Sequence, residues 1–463
     1  MRELDFADQI QQAGGKAYVV GGWVRDTIRG AMPNDKDYVV TGINEVAFES
    51  LFPDARRVGR HFPVYRLRVG AGHCDVAFAR REKKAGRGYR GFAVKFDRSI
   101  SIHDDLERRD TTINSMAIPI ESGSVSGLEK LIDPFGGARD IERRIIRATS
   151  AYFTDDPVRA LRAARQSTQL GYSIESGTMK MMKECQNELW FEPQARIMHE
   201  LRLVLETNHP SVFFRALLES DLLDVVFPWL YSLVGAEGDE NGDAFARAML
   251  TLDRAAVISD RPEIRFAALA CHIGGEYIAC EKTDQDNVPQ FEELEADPIY
   301  ADWLKVERRH ADRWQAEKRK RAGIRQIDRG RTAAPAYRGL EAFLGLEALK
   351  EWNSNMTLPG LWMACAKYAI KEGSRAWEVS RPGEIADFLT RLERHPIGVD
   401  GLVAVIHSNG EKLPAFLRNV RRYYDAMRDV SGHDIPEDLA GSKRGKWLRA
   451  RRNESIVSLL RGG

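Results

Sequence analysis

The chain has 463 residues, of which 43% are hydrophobic and 30% charged, and its formal net charge is +1. This length is too great for one hydrophobic core, so we expect several domains in a soluble, globular protein. No apolar run reaches membrane-spanning length, and the charged start MRELDFADQI is not typical of a signal peptide. The five cysteines lack C-x-x-C spacing, which argues against a disulfide framework and a structural zinc site. The cytoplasm is the predicted location.

The near-neutral total charge hides one strongly basic segment. Residues 305–331 hold eleven lysines and arginines against four acidic residues, and the stretch before them, EELEADPIYAD, is acidic. Such a segment indicates a face that binds polyanions. Taken alone, the segment favours the plainer interpretation of a solvated, arginine-rich helix face.

Residues 1–150 have the pattern of mixed α/β structure. The runs KAYVVGG and DYVVTG predict two strands, and WVRDTIRG predicts a short helix between them that Gly30 closes. A second helix is predicted at NEVAFESLF, and further strands at RRVG, PVYRLRVG and CDVAFAR.

From about residue 140 the apolar residues recur at helical spacing, as in DPVRALRAARQSTQL, ARIMHELRLVLE, PSVFFRALLESDLLDVV and EIRFAALA. The polar stretches at 235–243 and 281–290 are predicted loops. The sequence therefore predicts a sheet-containing head followed by a long helical body.

The stretch MPNDKDYVV places Asp35 and Asp37 around a lysine, directly ahead of an apolar run. On a strand, residues two apart point to the same face, so these carboxylates would project together and Lys36 would point away. Paired carboxylates repel each other unless a cation lies between them, and magnesium is the usual cation where phosphates share the site. The alternative is a polar turn, which this stretch alone favours.

Gly21 and Gly22 lie upstream, at the end of the first predicted strand and just before Arg25. Two glycines let the backbone approach a phosphate closely and offer it N–H donors, and an arginine adds a bidentate clamp. A glycine pair alone is weak evidence. Gly-Gly-x-Val-Arg-Asp followed within ten residues by Asp-x-Asp is much stronger.

The whole stretch VVGGWVRDTIRGAMPNDKDYVVTG resembles the first motif of the class II tRNA nucleotidyltransferases and bacterial poly(A) polymerases. Four further stretches resemble the family's motifs in the same order: LERRDTTINSMA (106–117), LIDPFGGARDIERRIIR (131–147), FTDDPVRALRAAR (153–165) and EPQARIMHELRLVL (192–205). The resemblance extends from about residue 16 to 230. Five motifs in order are far more specific than any one of them.

The resemblance implies nucleotidyl transfer, in which an RNA 3′-hydroxyl attacks the α-phosphate of a nucleoside triphosphate and pyrophosphate leaves. Asp35 and Asp37 are then the catalytic residues and would hold two magnesium ions. Asp75 is either a third carboxylate or an ordinary surface aspartate. The nucleotide-binding residues implied by the resemblance are Gly22, Arg25, Arg109, Asp110, Asn114, Asp156, Arg159 and Arg162.

Asp156 and Arg159 are predicted to read the base, because three residues apart on a helix they would share a face. Cytosine and adenine present an exocyclic amine beside a ring-nitrogen acceptor, which match a carboxylate and a guanidinium. Uracil and guanine present a carbonyl and an N–H instead, so the pair would admit CTP and ATP only, with Arg162 assisting. In isolation, the segment is also typical of a capped helix start before an arginine-rich surface.

The chain departs from the family pattern at two positions of this motif. Asp155 replaces a glutamate, which shortens a supporting carboxylate, and Gln166 replaces a phenylalanine, which removes an apolar packing residue. Both changes leave the reading pair intact, and their effect on base choice stays open.

The subtype is indicated by VGRHFPVYRL and ARREKKAGRGYRGF, which resemble the CCA-adding enzymes. Poly(A) polymerases have a basic pair where this chain has Arg60-His61. Residues 80–107 resemble the family's flexible loop that helps switch from C to A addition, and its full length favours complete CCA addition.

The region after residue 230 resembles the family less closely. In RFAALACHIGGE, Cys271-His272 stands where a phosphohydrolase subtype has a His-Asp pair, so His272 is predicted to be a packed or hydrogen-bonded histidine. The last helix, SKRGKWLRARRNESIVSLL (442–460), is predicted to grip tRNA phosphates together with residues 305–331. The acceptor and T arms would be recognised by shape.

The implied fold class is α+β, an N-terminal nucleotidyltransferase head with a small mixed β-sheet followed by an extended all-helical neck, body and tail. The predicted layout is a head at 1–147, a neck with the base-reading motif at 148–230, a degenerate phosphohydrolase-like body at 231–390 and a tRNA-binding tail at 391–463.

The implied function is template-independent addition of CCA to tRNA from CTP and ATP, with magnesium as cofactor. The alternatives are a poly(A) polymerase, a partial CC- or A-adding enzyme, and an inactive RNA-binding protein. The intact Asp35 and Asp37 argue against inactivity, and Cys271-His272 argues against a phosphohydrolase. The oligomeric state stays open.

Overall fold

The computed structural model describes residues 1–33, 35–58, 63–70, 72–84, 86, 92–121, 124–125, 127–189, 191–236, 243–272, 352–353, 359–372, 381–408 and 418–461. Its contacts divide the chain into two compact units, Met1–Glu200 with Val212–Val226 and Leu201–Ser211 with Phe227–Gly463. Several predictions fall outside the described residues: Arg60-His61, the loop at 281–290, the basic segment 305–331, residues 85 and 87–91 of the flexible loop, and residues 237–242.

Among the strands that the structure describes, the first five coincide with the predicted runs and the other six were not predicted. The strands are β1 (Lys16–Val20), β2 (Asp37–Thr41), β3 (Arg56–Val58), β4 (Val64–Val69), β5 (Gly72–Phe78), β6 (Arg80–Lys84), β7 (Phe92–Phe96), β8 (Ala117–Glu121), β9 (Ser124–Val125), β10 (Ile145–Ile146) and β11 (Ser173–Ile174). In the described head, seven strands form one sheet in the order β3-β4-β5-β2-β1-β8-β9, and β6 pairs with β7. Strands β2 and β5 run parallel and the other neighbours in the sheet antiparallel, so the predicted mixed sheet is confirmed.

The helices include the segments in which the sequence shows helical periodicity, and others that were not predicted. In the first part of the chain they are α1 (Glu3–Gln12), α2 (Gly22–Ile28), α3 (Glu45–Leu51), α4 (Ile102–Glu107), α5 (Gly137–Glu142), α6 (Val158–Leu170), α7 (Ser176–Glu184), α8 (Gln186–Leu189), α9 (Gln194–Leu205), α10 (Ser211–Glu219) and α11 (Leu223–Val226). The later helices are α12 (Pro228–Tyr231), α13 (Ala244–Ile258), α14 (Pro262–Ala270), α15 (Gly360–Glu372), α16 (Pro382–Glu393), α17 (Gly398–Ser408), α18 (Val420–Arg428) and α19 (Ser442–Arg461). Among the helices so described, none is both long and apolar enough to cross a membrane.

The mostly helical remainder confirms the predicted α+β class. Gly30, just beyond α2, has φ +68°, a left-handed conformation that glycine adopts without strain. Among the elements that were not predicted, β6 and β7 form an antiparallel pair inside the segment interpreted as a flexible loop. In addition, β10 pairs in parallel with β11 at the junction between the sheet and the helices.

The two faces of the head sheet pack against different layers, because successive residues of a strand point to opposite sides. On one face, the back face, aromatic rings fill the space below α1 and α3. The ring centroid of Phe48 lies 5.0 Å from that of Tyr65 and 5.4 Å from that of Phe78. On the other face, the front face, Leu106 of α4 packs with Tyr18 and other side chains of β1 and β2.

A glycine brings α5 close to the sheet. A Cβ on Gly137 would lie 2.3 Å from the carbonyl oxygen of Thr112, so this approach requires glycine. Asp133 caps the helix by accepting from the backbone N–H of Gly137 at 2.7 Å. Thr112 Oγ1 donates to Asp140 at 2.6 Å. These contacts fix the 3₁₀ turn at Thr112–Asn114, which carries a predicted site residue.

In the second unit, α14 is tied to its neighbours through Arg265, which is buried. Its guanidinium donates to the backbone carbonyls of Ser259 (2.6 Å), Leu205 (2.7 Å), Thr207 (2.7 Å) and Ala256 (2.9 Å). Carbonyls at helix ends lack intrahelical partners, so one side chain satisfies groups at the ends of both α9 and α13. Burial lowers the pKa of this guanidinium.

Candidate active site

The predicted catalytic carboxylates lie at the beginning of β2. The strand starts at Asp37, whose partner on β5 is Asp75. Asp35 precedes the strand, so the prediction that both aspartates alternate on one strand is wrong for Asp35. The pKa of Asp37 is raised, first by desolvation and then by the negative charges of Asp75 and Asp35. The positive charge of Arg109 opposes this shift. Asp35 and Asp75 therefore add negative charge close to Asp37.

Lys36 points away from its neighbouring aspartates, as predicted. Its Nζ lies 2.9 Å from both carboxylate oxygens of Glu3 and 4.4 Å from the ring centroid of Trp23. Glu3 also accepts a hydrogen bond from the hydroxyl of Tyr38 at 2.8 Å. The lysine charge is thus paired with α1 and not with the carboxylates on either side of it.

Asp75 is held by a cation of its own. Nε and Nη2 of Arg66 lie 2.9 and 3.3 Å from its two carboxylate oxygens, a bidentate arrangement. The side chains of Arg66 and Asp75 are 55% and 40% exposed, so the pair adds little to stability. Asp75 therefore lies beside Asp37, where a third catalytic carboxylate would have to lie, but it already forms an ion pair with Arg66.

The two glycines after β1 bring two guanidinium groups close to the backbone. Gly21 has φ +72°, and a Cβ there would lie 3.4 Å from Nη1 of Arg109. A Cβ on Gly22 would lie 3.5 Å from Nη2 of Arg25. The turn, Arg25 and Arg109 thus form one cationic corner at the end of the sheet where Asp37 begins β2.

Asn114 holds both arginines of this corner. Nη1 of Arg25 donates to its side-chain oxygen at 3.0 Å, and Nη1 of Arg109 donates to its backbone carbonyl at 3.4 Å. Arg25 also forms a bidentate pair with Asp26, at 2.9 and 2.7 Å. Arg25 and Asn114, which are 89 residues apart in the chain, thus meet at this corner.

A buried carboxylate beneath the corner anchors Arg109. Asp105 is fully buried and accepts from Nε and Nη2 of Arg109 at 3.2 and 3.1 Å, and also from Arg108. Burial alone would raise the pKa of Asp105, but the charges of Arg108 and Arg109 hold it at about 2. Asp105 therefore stays ionised and fixes both guanidinium groups.

Asp110 links the head to the first long helix after it. It is buried, and its oxygens accept from the backbone N–H of Thr111 (2.8 Å), Nε of Arg162 (2.8 Å), Nε2 of Gln166 (3.1 Å) and Nδ2 of Asn114 (3.4 Å). Against the effect of burial, the charge of Arg162 holds the pKa of Asp110 far below its ordinary value. Arg162 thus contacts the second motif, where the sequence predicted only that it assists the reading pair.

Gln166, one of the two departures from the family pattern, belongs to this network. Its side chain is 2% exposed, and its two amide atoms have different partners. Nε2 donates to Asp110, and Oε1 accepts from Oγ1 of Thr111 at 2.6 Å. The sequence interpretation, a loss of apolar packing, is therefore incomplete, because the residue supplies hydrogen bonds to a buried carboxylate.

The proposed reading pair is held by the helix that follows it. Helix α6 begins at Val158, so Asp156 precedes it, and the prediction that Asp156 and Arg159 are three apart on one helix is wrong for Asp156. Its carboxylate caps the helix by accepting from the N–H of Val158 at 3.2 Å. Nη1 and Nη2 of Arg196 reach its two oxygens at 3.0 and 2.7 Å.

Arg196 is held in turn by Glu192, which lies four residues earlier, just before α9 begins, at 2.6 Å. Nη1 of Arg159 donates to the backbone carbonyl of Tyr152. Sequence reasoning assigned no role to Arg196 or Glu192, and helical spacing gives no signal for this pair, because α9 begins only after Glu192.

The histidine of the degenerate phosphohydrolase-like region is hydrogen-bonded, as predicted. Nε2 of His272 lies 2.8 Å from Oγ1 of Thr251 on α13.

A mixed sheet with carboxylates at the start of a central strand, beside a double-glycine turn flanked by arginines, defines the head of a nucleotidyltransferase. Residues 17–147 match the family model described as the Poly A polymerase head domain. Residues 171–233 match the model described as the probable RNA and SrmB-binding site of polymerase A.

The chain is 34% identical to a Multifunctional CCA protein of Stenotrophomonas maltophilia (strain K279a), over 69% of this chain and 78% of that protein. It is 38% identical to a Multifunctional CCA protein of Xanthomonas campestris pv. campestris (strain B100), over 56% of this chain. The chain spans 63% of the length of that second relative.

Two solved structures share the fold. One is a CCA-adding enzyme in apo form II, with a TM-score of 0.61 and 18% identity, covering 99% of this chain and 95% of that one. The other is the Bacillus stearothermophilus CCA-adding enzyme in complex with CTP, with a TM-score of 0.58 and 20% identity, covering 98% and 92%. The chain belongs to the family of class II tRNA nucleotidyltransferases and bacterial poly(A) polymerases.

Proposed function

We propose that this protein adds CCA to the 3′ end of tRNA without a template, from CTP and ATP and with release of pyrophosphate. The observation that carries the proposal is the meeting of Asp37, the glycine turn and two arginines at one end of the sheet. The relatives named Multifunctional CCA protein support the same activity. The bound CTP of the Bacillus enzyme supports CTP as a substrate.

Magnesium fits this site. Desolvation and two neighbouring carboxylates raise the pKa of Asp37, so the negative charge there favours a cation. Among the described residues, no three His, Cys, Asp or Glu side chains are placed to hold a metal by themselves. Magnesium takes one or two carboxylates and completes its shell with water and substrate phosphates. Asp35 and Asp37 would be those ligands, and the bound ion would stabilise the attacking and leaving oxygens.

The cationic corner would bind the triphosphate. Arg25 and Arg109 lie against the glycine turn, and Asn114 and Asp105 fix their guanidinium groups before any nucleotide arrives. Such preorganisation avoids the entropy cost of ordering the arginines during the reaction. The backbone of Gly22 allows a phosphate to approach without a side chain in the way.

Asp110 would support the nucleotide site through Asn114 and Arg162, because its buried oxygens already accept four hydrogen bonds. Asp156 would contact the base. Arg196 and the N–H of Val158 leave one acceptor position on Oδ2 of Asp156, where an exocyclic amine of cytosine or adenine would donate. Arg159 would donate to the ring nitrogen. Because the bidentate Arg196 fixes the plane of the Asp156 carboxylate, selection of the base would depend on a geometry that exists before the nucleotide binds.

The layout of the chain is part of the proposal: a head at 1–147, a neck at 148–230, a body at 231–390 and a tail at 391–463. The family matches over 17–147 and 171–233 support a catalytic head and an RNA-binding neck. Exposed lysines and arginines on α19 support phosphate contacts by the tail. The protein would act in the cytoplasm.

A poly(A) polymerase is the second candidate, because both family models carry polymerase descriptions. Incorporation of nucleotides into tRNA that lacks its last three residues separates the two. Wild type and Asp37→Asn are given CTP and ATP with magnesium, and Asp54→Asn, at an exposed aspartate before β3, is the matched control. We expect addition of three nucleotides by the wild type and the control and none by Asp37→Asn. Full activity of Asp37→Asn would contradict the site, and long A tails would favour the second candidate.

A further inference from the structure

Half of the front face of the head sheet is open to solvent. Over β1 and β2 this face is covered, because Tyr18, Val39 and Leu106 pack together there. Over β3, β4 and β5, the front-face residues are exposed or half-exposed, and several of them carry charge. An open, charged sheet face beside the proposed catalytic carboxylates is a candidate binding surface.

The strand register joins these charges into one line that ends at the carboxylates. Asp37 of β2 is opposite Asp75 of β5, and Asp75 is in turn opposite Arg66 of β4. Arg66 is opposite Arg56 of β3. Direct cross-strand partners share a face, so the four side chains stand side by side. With strands about 4.8 Å apart, Arg56 lies about 14 Å from the strand of Asp37.

Arg68 extends the line along β4, two residues beyond Arg66 and therefore on the same face. We call Arg56, Arg66 and Arg68 the arginine row. Arg56 and Arg68 are exposed, and in the part of the chain that the structure describes no carboxylate pairs with either of them. The partner of Arg68 on β5 is His73, which brings no negative charge.

Arg56 and Arg68 form no ion pair that stabilises the sheet, among the residues that the structure describes. Arg56 and Arg66 are directly opposite each other, and like charges in that relation destabilise a sheet. Arg57, the next residue, faces the other way and pairs with Glu45 of α3 at 3.4 Å. Arg66 already shares its charge with Asp75, so among the described residues Arg56 and Arg68 are the positive charges of the row that remain available to a negatively charged partner.

We propose that the arginine row binds the phosphodiester backbone of the RNA strand whose 3′-hydroxyl reaches Asp37. This inference rests on the proposed function. The triphosphate has cations of its own on the other side of Asp37, since Arg25 and Arg109 lie against the glycine turn after β1. The arginine row extends in the opposite direction, across β5, β4 and β3. An RNA strand that arrives from that side presents successive phosphates to the row, and arginine binds phosphate bidentately.

The double variant Arg56→Ala/Arg68→Ala tests the proposal, with Arg57→Ala as the matched control on the opposite face of the same strand. Affinity for tRNA lacking CCA is measured by fluorescence anisotropy over a range of salt concentrations. Each lost phosphate contact lowers the slope of log affinity against log salt by about 0.7–0.9, so we expect the double variant to lose about 1.5 in slope and about tenfold in affinity. The control should match the wild type, and the KM for CTP should not change in any of the three proteins.

The thermal midpoint of the double variant should stay equal or rise, because the change removes a like-charge repulsion. An equal loss of affinity in Arg57→Ala would overturn the proposal, since it would reflect total charge and not the row. A raised KM for CTP with unchanged RNA binding would also overturn it and assign the row to the triphosphate. The binding assay needs no catalysis, so the two proposals can fail separately. Full activity of Asp37→Asn would refute the proposed function, whereas unchanged RNA binding by the double variant would refute the role of the arginine row.

Discussion

Replacing Gln166 with glutamate should make the stability of the protein depend on pH. The change keeps the shape of the side chain but places a second carboxylate 3.1 Å from Oδ2 of Asp110, at a site that is 2% exposed. At an effective dielectric constant of about 20, two unit charges at that distance repel by about 5 kcal/mol, or about 4 pKa units. The charge of Arg162, 2.8 Å from the same oxygen, offsets part of this, so we expect a shift of about 3 units.

The sign follows from proton linkage. The new glutamate ionises near pH 4.3 in the unfolded chain but only near pH 7 in the folded one, so between those values the unfolded state holds fewer protons. The free energy of unfolding relative to the wild type should therefore be unchanged by this group below about pH 4.3. Above about pH 4.3 this free energy should fall by about 1.4 kcal/mol per pH unit. Above about pH 7 it should level off, about 4 kcal/mol below its value at low pH.

Urea unfolding of the wild type and Gln166→Glu from about pH 5 to about pH 8 measures this difference. Gln166→Leu is the control, because it removes the same hydrogen bonds from Asp110 and Thr111 without adding a charge. Its cost should be about 1–3 kcal/mol and independent of pH. A difference between Gln166→Glu and the wild type that is equal at both ends of the range would refute the reasoning.

Three further changes test other parts of the structure. Arg196→Lys removes the bidentate guanidinium contact with Asp156, so kcat/KM for CTP should fall about tenfold and incorporation of UTP relative to CTP should rise. Single-nucleotide kinetics measure both, and an unchanged ratio of UTP to CTP incorporation would contradict this prediction. Asp105→Asn should cost about 2 kcal/mol above pH 4 and nothing near pH 2, because the folded pKa of about 2 lies below the usual 3.8 and its stabilisation is lost as the pH falls; acid-unfolding curves measure it. Arg265→Met leaves four carbonyls without their donor and should cost about 3 kcal/mol or more, seen as a lower thermal midpoint.

The sequence predicted most of the head because its signals are local. The β-branched runs that became β1 and β2 alternate in the way a strand requires, and the left-handed turn after α2 needs the glycine that stands there. The parallel pair β10 and β11 escaped prediction because two residues give no periodicity to detect.

The candidate site was predicted as a set of residues but not as a network. Local spacing gave no sign that Lys36 is paired with Glu3, 33 residues earlier, or that Gln166 lies against Asp110, 56 residues earlier. The start of α6 was also predicted too early. Asp156 is followed by Pro157, and the helix begins only at Val158, two residues after Asp156. The arginine row depends on strand register, which pairs residues of β3, β4 and β5 that no short window of sequence compares.

The central claim is that this chain adds C, C and A in that order. The most direct measurement is sequencing of the 3′ ends of tRNA that lacked CCA, after incubation of the wild-type protein with all four nucleoside triphosphates and magnesium. The account predicts ends that read CCA and extend no further, with U and G absent, because Asp156 and Arg159 would match only cytosine and adenine. Unchanged ends, ends that stop at CC, or long runs of A would contradict it.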